Sequence, residues 1–334
     1  MVFVTGGTGL VGSHIICQLL ENGQKVRALC RVSSEKAWFY KTAKWLLKDS
    51  YTSKMKDLEW YNGDVTDIVG LLDGIEGCTQ VYHAAAIVSF AKKDQSVMKE
   101  INVMGTANLV NACLSKGSDV ELCFISSTAS IGGVEKILLD ESVEYAIDQV
   151  NSYYSVTKYL AELEVIRGRE EGLKACIVNP SIVLGFGNWN QGSAKILKNG
   201  KQGFPFYTDG SNAFVDARDV AKASTLLMEH KRFDGRYLCA AWNKKFFDVF
   251  TTLAEQFGAN PPRIRVVKWM TEVAWRIAAV TKFFTGTGII TKESASAGLK
   301  HRRYSSQRLL ESIPFTFRDY DEALKEICAA YNLE

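Results

Sequence analysis

Residues 2–12 read Val-Phe-Val-Thr-Gly-Gly-Thr-Gly-Leu-Val-Gly, and this stretch sets the fold class that we predict. A short apolar run leads into a glycine-rich turn, and a helical pattern follows over 10–22. Glycines allow a tight turn and a close approach of the backbone to a pyrophosphate, and the free N–H groups of a helix N-terminus bind phosphate oxygens. Strand, glycine loop and helix in this order predict the phosphate-binding end of a dinucleotide-binding βαβ unit.

The glycines of this loop fit two spacings, and the sequence leaves both open. Gly7, Gly9 and Gly12 match a G-x-G-x-x-G pattern, whereas Gly6, Gly9 and Gly12 match a wider G-x-x-G-x-x-G pattern. A glycine-rich turn without a ligand is the alternative, and the strand before it and the helix after it argue against that alternative. We expect the loop to contact the cofactor through Thr5, Gly6, Gly7, Gly9, Leu10, Val11 and Gly12.

Short β-rich runs alternate with longer helical patterns as far as about residue 185. This order predicts an α/β fold of the Rossmann type, a doubly wound parallel sheet with helices on both faces. We expect residues 1–185 to form the dinucleotide-binding domain, with 214–240 returning to it, and 186–213 and 241–334 to form a smaller C-terminal substrate-binding cap. The predicted strands are 2–5, 25–30, 58–61, 80–84, 121–126 and 174–178, and the main predicted helices are 10–22, 35–48, 98–116 and 152–171.

Composition narrows the class of protein. Of 334 residues, 47% are hydrophobic and 23% are charged, which is typical of a globular protein, and the net charge of +3 argues against nucleic acid as a partner. Eight dispersed cysteines without a C-x-x-C pair predict buried thiols in a reducing cytoplasm, and we expect no metal site. We see no secretory signal after Met1 and no apolar run of about 20 residues that could span a bilayer.

The end of the second predicted strand bears on the choice of cofactor. NAD enzymes of this fold usually carry an acidic residue there to bind the ribose, and this chain has Cys30-Arg31-Val32 instead. An arginine can pair with a 2′-phosphate, so Arg31 favours NADP. If Arg31 is only a solvated loop residue, NAD stays possible. After the third strand, Asp64 could accept a hydrogen bond from the adenine amino group, and we place Val65 beside it.

Tyr154 and Lys158 lie one helical turn apart in the predicted helix 152–171. Residues at i and i+4 share a face, whereas Tyr153 points away from the lysine. Taken alone, the pair fits an ordinary amphipathic helix with a surface lysine better than a catalytic pair, so its interpretation depends on the rest of the chain.

With these features in hand, the chain resembles the extended short-chain dehydrogenase/reductase family, also called the NAD-dependent epimerase/dehydratase family. Within it, the chain is most similar to the dihydroflavonol-4-reductase-like and 3β-hydroxysteroid-dehydrogenase-like branch. The segment from Phe214 to Ala221 resembles the late FVxxxDVA motif of these proteins, so the resemblance covers nearly the whole chain.

The resemblance implies roles for individual residues. Tyr154 and Lys158 match Y-x-x-x-K, and Thr128 matches the third hydroxyl of the strand-end motif, with Ser127 in reserve. Asn102 matches an asparagine that supports a proton relay, although a bond to nearby backbone is nearly as good an interpretation, and Thr128 could equally be a turn hydroxyl. The remaining cofactor contacts that the resemblance implies are Ala84, Ala85, Ala86, Pro180 and Ser181.

The implied chemistry is the interconversion of a ketone and a secondary alcohol on a small to medium organic substrate. Tyr154 would act as the acid/base, and Lys158 together with an oxidised nicotinamide would lower the tyrosine pKa. Two alternatives stay open: a nucleotide-sugar epimerase or dehydratase that retains NAD, and a non-catalytic NADP-binding sensor. Ala129 follows Thr128 at the position where dehydratases carry an acidic residue, and this favours the reductase. Phe186 stands where a proline is common in the reductase branch, and this departure weakens the preference.

The resemblance also implies a homodimer formed through the helix that carries Tyr154. The aromatic and basic stretch 263–303, with Trp269, Trp275, Phe283 and Phe284, is open to three interpretations: a lid, a core helix or a membrane-surface contact. We expect no membrane partner.

Overall fold

The computed structural model describes residues 1–132, 138–145, 152–267, 270 and 298–333. Its strands alternate with helices over the first half of the chain. The strands are β1 Val2–Thr5, β2 Val26–Cys30, β3 Leu58–Asn62, β4 Gln80–His83, β5 Glu121–Ile125, β6 Leu138–Leu139, β7 Lys174–Pro180, β8 Ile182–Leu184, β9 Phe206–Tyr207, β10 Ser211–Asp216, β11 Arg236–Cys239, β12 Trp242–Lys245, β13 Ile264–Arg265 and β14 Arg303–Tyr304.

The helices differ in length and in regularity. The α-helices of the described residues are α1 Leu10–Glu21, α2 Ala37–Leu47, α3 Tyr51–Lys54, α4 Ile68–Gly74, α5 Gln95–Met98, α6 Gly105–Ser115, α7 Tyr153–Glu170, α8 Lys195–Lys201, α9 Ala217–Glu229, α10 Phe246–Phe257, α11 Gln307–Ser312 and α12 Tyr320–Asn332. A π-helix over Lys99–Met104 joins α5 to α6, so the predicted helix 98–116 contains a wider turn next to the candidate site.

A central sheet of seven strands organises the described chain, in the order β11-β7-β5-β4-β1-β2-β3. All of its neighbouring strands pair in parallel. The order reverses direction between β1 and β4, so the chain leaves these two strands toward opposite faces and opens a crevice at their carboxyl ends. The expected doubly wound parallel sheet is confirmed.

Helices cover both faces of this sheet, as an all-parallel sheet requires. On one face, Ile15 and Leu19 of α1 pack into one core with Val220 and Leu227 of α9. On the other face, apolar residues of α6 and α7, among them Leu109 and Val165, form a second core. The sheet is therefore buried on both sides, and only its loops and edges are free to bind ligands.

Much of the described chain after β7 builds a smaller unit beside the sheet. Strands β8, β10 and β12 form a three-stranded sheet, and α10 and α12 share an apolar cluster with it. Of the segment 214–240, only β11 joins the main sheet, next to β7, whereas β10 belongs to the small sheet. The division into a cofactor domain and a cap stays a prediction.

Most of the aromatic and basic stretch 263–303 lies outside the described residues. Residues 268–269 and 271–297, which include Trp269, Trp275, Phe283 and Phe284, lie outside the described residues. Within the described ranges, no helix is long and apolar enough to cross a membrane.

Candidate active site

The glycine loop connects β1 to α1 at the point where the strand order reverses. Gly6 has φ +71°, and a β-carbon on it would lie 2.6 Å from the carbonyl carbon of Ala84, in the loop after β4. A β-carbon on Gly12 would lie 2.2 Å from the carbonyl oxygen of Gly6, which accepts the N–H of Gly9 at 2.9 Å. A β-carbon on Gly7 would meet only the flexible end of the Ile16 side chain closely. The structure thus requires glycine at Gly6 and Gly12, two of the three positions of the wider spacing.

The N-terminus of α1 is open toward this loop. Its N-cap is Gly9, which has no side chain to bind the free N–H groups of the first turn, and no acidic residue lies in that turn. Leu10 and Val11 begin the helix and are partly exposed. A helix end of this kind suits an anion such as a pyrophosphate.

A buried chain of hydrogen bonds joins the two sides of the crevice. The Thr106 hydroxyl donates to the Asn102 carbonyl at 2.6 Å, so it accepts from Nε2–H of His83 at 2.9 Å. Thr5 accepts the N–H of Ala85 at 3.3 Å and donates to Nδ1 of His83 at 2.6 Å. Burial, and then the positive charge of Lys158, lowers the pKa of His83 to about 3. A neutral histidine therefore ties β1 and β4 to the helical segment behind them.

Helix α7 brings the Tyr154 and Lys158 side chains to the carboxyl end of β5. Its N-cap Ser152 accepts the N–H of Ser155 at 3.1 Å, which stabilises the first turn of the helix. The helix therefore begins one residue before Tyr154. The ammonium group of Lys158 donates to the carbonyl of Ile125 at 2.8 Å. The Tyr154 hydroxyl hydrogen-bonds the side chain of Ser127, which lies two residues after Ile125.

Burial controls the protonation of both helix residues. It raises the pKa of Tyr154 to about 12, and the hydrogen bond with Ser127 only partly opposes this rise. Burial also lowers the pKa of Lys158 to about 7, although the negative charge of Glu162 acts to raise it. The lowering of the Tyr154 pKa by Lys158 together with an oxidised nicotinamide stays a prediction, and burial is the larger effect on this tyrosine. Tyr154 keeps its proton at neutral pH.

The strand-end hydroxyls are arranged differently from the expectation. Ser127 caps a short 3₁₀ helix over Thr128–Ser130 and accepts the N–H of Ala129 at 3.1 Å. Its side chain also hydrogen-bonds Tyr154, whereas Thr128 is buried, with 6% exposure. The geometry supports Ser127, held in reserve by the sequence analysis, as the hydroxyl beside the tyrosine.

Asn102 lies in the π-helix and is buried. Its side-chain amide exchanges two hydrogen bonds with the backbone of Ile87, at 2.8 and 3.0 Å, and donates to the Thr157 hydroxyl at 3.1 Å. The structural interpretation of this residue, a side chain bonded to nearby backbone, is the one that these contacts support. The amide anchors the loop after β4 to α7.

The side of the crevice where the sequence predicts the adenine lies at the ends of β2 and β3. Arg31 follows β2 directly and is exposed. Asp64 uses Oδ1 to accept the N–H and the hydroxyl of Thr66 at 3.0 and 2.9 Å, so one carboxylate oxygen already serves a local turn. Val65 is buried against Gly105. The ammonium group of Lys36, which the sequence did not single out, lies 4.9 Å from the centre of the Trp60 ring of β3.

The side of the crevice where the resemblance implies the nicotinamide lies at the ends of β4 and β7. Ala84 and Ala85 are half-buried, and Ala86 is exposed. β7 ends at Pro180, and within the described residues the buried Oγ of Ser181 and Oδ1 of Asn179 have no hydrogen-bond partner. Buried polar atoms usually find a partner, so two orphaned ones here fit a bound polar group such as a carboxamide.

Proteins of similar sequence place this chain in one family. The family model of the NAD dependent epimerase/dehydratase family matches residues 2–234. The chain belongs to this family. Vestitone reductase of Medicago sativa is 30% identical over 257 residues, which covers 72% of this chain and 76% of that protein. The bifunctional dihydroflavonol 4-reductase/flavanone 4-reductase of Malus domestica is 26% identical over 273 residues, 77% of this chain and 76% of that protein.

Among solved structures, the crystal structure of gox2253 is similar, with a TM-score of 0.80 and 26% identity over 100% of this chain and 98% of that one. The predicted membership of the epimerase/dehydratase family and the similarity to dihydroflavonol reductases are confirmed. The prediction of an NAD(P)-dependent enzyme of the extended short-chain dehydrogenase/reductase type is confirmed with them.

Two charged residues of this epimerase/dehydratase family member escaped the sequence analysis. Glu162 follows Lys158 by one turn of α7 and is 1% exposed, and Arg236 of β11 lies 3.6 Å from its carboxylate. The sequence does contain a signal for Glu162, because Tyr154, Lys158 and Glu162 are spaced at i, i+4 and i+8 on one helix face.

Proposed function

We propose that the chain is an NADP(H)-dependent reductase or dehydrogenase that interconverts a ketone and a secondary alcohol on a small to medium organic substrate. The observation that carries this proposal is the cluster of Ser127, Tyr154 and Lys158 at the end of β5, on the crevice that the glycine loop borders. The names of relatives such as vestitone reductase support a carbonyl substrate.

The side chains of the cluster suit carbonyl reduction. When bound, the reduced cofactor supplies a hydride to the carbonyl carbon. Ser127 and Tyr154 hold the carbonyl oxygen through their hydroxyls, and Tyr154 donates its proton to the alkoxide that develops there. With a pKa of about 12, Tyr154 is protonated at neutral pH and is still a stronger acid than the alcohol that forms. The Lys158 ammonium group stabilises the phenolate that remains.

The cofactor would lie across the carboxyl ends of the parallel strands. The glycine loop and the N-terminus of α1 would hold the pyrophosphate, and Asp64 and Val65 would border the adenine. Arg31 is exposed at the end of β2, where a 2′-phosphate would lie, and this supports NADP over NAD. Ser181 and Asn179 offer their orphaned oxygens to the nicotinamide side.

An epimerase or dehydratase with retained NAD is the second candidate. The position after Thr128 is Ala129, and the next residue, Ser130, donates its hydroxyl to the buried Glu162. Neither offers an acid to the substrate for the elimination of water, and this favours the reductase.

The first experiment identifies the nucleotide released when the purified protein is denatured. A reductase that exchanges its cofactor should release little nucleotide or substoichiometric NADP, whereas near-stoichiometric NAD or NADH would overturn the proposal in favour of the epimerase. A panel of ketones with NADPH should then show turnover. Tyr154→Phe should lose most of that turnover and keep cofactor affinity, with Tyr153→Phe as the matched control, and a Tyr154→Phe enzyme of near-normal rate would remove the assignment.

We also propose a homodimer built through α7. Leu163 and Ile166 of this helix and Met104 beside it are exposed apolar residues, which supports an interface. Light scattering after size exclusion should give twice the chain mass, and a monomer would exclude this arrangement.

Because all eight cysteines are free and buried, a reducing cytoplasm remains our proposal for the compartment.

A further inference from the structure

Glu162 is a buried carboxylate that the proposed chemistry does not use. It lies on α7 one turn beyond Lys158 and two turns beyond Tyr154, so the three side chains share one face of the helix. Only 1% of the residue is exposed. Burial of a carboxylate is unfavourable unless hydrogen bonds and an opposite charge compensate it, so its partners indicate what it is for.

The partners of Glu162 come from three other elements. Oε1 accepts the hydroxyl of Ser130 at 2.5 Å and the side-chain N–H of Asn179 at 2.5 Å. Asn179 also donates to the carbonyl of Ser127 at 3.1 Å. Oε2 lies 3.6 Å from the guanidinium group of Arg236. One carboxylate thus joins the catalytic helix to the strand-end loop, to the end of β7 and to β11.

Arg236 extends this network to the chain before α7. Its guanidinium group donates to the backbone carbonyls of Glu141 and Val143, at 2.9 and 2.8 Å from Nη2. A change at Glu162 therefore reaches both the loop that carries Ser127 and the segment that approaches the catalytic helix.

We propose that Glu162 is a positioning residue of the candidate active site, which holds Ser127 and Asn179 in place against α7 and presents a negative charge to Lys158. This inference rests on the proposed function, because it assigns Glu162 a part in the work of Tyr154 and Lys158. Neutral substitution of Glu162 should then change the pH at which Lys158 loses its proton as well as the rate.

The charges around Lys158 give the direction of that change. Burial lowers the pKa of Lys158 to about 7, and the negative charge of Glu162 raises it from a still lower value. His83 of β4 faces the lysine as a neutral ring, Arg236 of β11 lies behind Glu162, and Tyr154 is protonated. The charged residues of the π-helix that packs on α7, Lys99 and Glu100, are exposed. Among the described groups, Glu162 is the negative charge that acts on Lys158.

The test compares Glu162→Gln with Glu164→Gln. Glutamine keeps the shape of Glu162 and removes its charge, and Glu164 is a matched control because it lies on the same helix and pairs with Arg167 at 3.0 Å on the surface. For Glu162→Gln we expect kcat to fall about tenfold at pH 7 with little change in KM. The alkaline limb of its pH profile should move about one unit lower. Glu164→Gln should match the wild type in both respects. An equal loss of rate at every pH would overturn the proposal.

A second measurement is independent of turnover. The free energy of unfolding of the cofactor-free protein is measured for Glu162→Gln, Lys158→Met and the double variant at pH 6, where Lys158 is charged. A coupling free energy between the two sites supports the proposal, and additive effects overturn it. If the wild type reduces no ketone, the proposed function fails, and this cycle still decides whether Glu162 acts on Lys158.

Discussion

The Tyr154 hydroxyl hydrogen-bonds the side chain of Ser127, although Thr128 is the residue that the family motif favours. Ser127 is the N-cap of the short 3₁₀ helix after β5, and its extended backbone turns its side chain toward α7. Thr128 begins that helix and is buried. The turn of the chain at the strand end therefore selects which hydroxyl meets the tyrosine.

This arrangement predicts different effects of two substitutions. Ser127→Ala should lower kcat by roughly 10²-fold, because it removes a hydroxyl that orients the carbonyl oxygen and contacts Tyr154. Thr128→Val keeps the volume of a buried residue and should change kcat less than about fivefold. Steady-state kinetics of both variants with one ketone and NADPH decides the matter. The opposite ranking would return the role to Thr128.

The glycine loop predicts an effect on stability. Gly6→Ala forces a β-carbon into the backbone of Ala84 and Ala85, in addition to the strain of φ +71°. Gly23 has nearly the same backbone strain, φ +77°, with nothing within 4 Å, so Gly23→Ala measures the strain alone. Strain of this kind costs about 1–2 kcal/mol.

In urea unfolding, we expect Gly6→Ala to lose at least about 2 kcal/mol more than Gly23→Ala, and to bind NADPH more weakly. Equal losses of stability for the two variants would show that the close approach to the loop after β4 is not required.

Cofactor preference is predicted to depend on Arg31. Arg31→Ala should raise the Kd for NADPH by about 10–100-fold and leave that for NADH nearly unchanged, since only NADPH carries the 2′-phosphate. Lys25→Ala is the control, because Lys25 is an exposed cation just before β2, at the opposite end of that strand. Fluorescence titration with both cofactors measures the four affinities. An equal loss of affinity for NADPH and for NADH would contradict a contact between Arg31 and the 2′-phosphate.

Buried His83 predicts a dependence of stability on pH. Burial lowers the pKa of His83 in the folded protein to about 3, from its ordinary value of 6.5, so the unfolded chain binds a proton more readily than the folded one. The stability that it contributes is complete above about pH 6.5 and is lost as the pH falls toward 3, by an amount on the order of a few kcal/mol.

Urea unfolding between pH 7.5 and 4.5 tests this dependence. The free energy of unfolding should fall less steeply for His83→Gln than for the wild type, since the variant lacks the group that protonates on unfolding. His230→Gln, at an exposed site, should keep the wild-type slope. Identical slopes for all three proteins would refute the prediction.

Local sequence determined the features that neighbouring residues define. The strand, glycine loop and helix of 2–21 follow from the apolar pattern and from glycines three residues apart, and Tyr154 and Lys158 share a face because they lie one helical turn apart. The alternation of strands and helices likewise indicated a parallel sheet, because parallel neighbours need a crossover between them.

Tertiary structure alone decided how distant residues meet. Thr5 and His83 are 78 positions apart and become hydrogen-bonded because β1 and β4 are neighbours in the sheet. Glu162 finds Arg236 because β11 joins the sheet beside β7, and Ser127 rather than Thr128 meets Tyr154 because of the turn after β5. Burial follows from the same packing and sets the pKa values of Tyr154 and Lys158. Hydrogen-bond partners and desolvation depend on contacts between elements, and the order of residues along the chain does not specify these contacts.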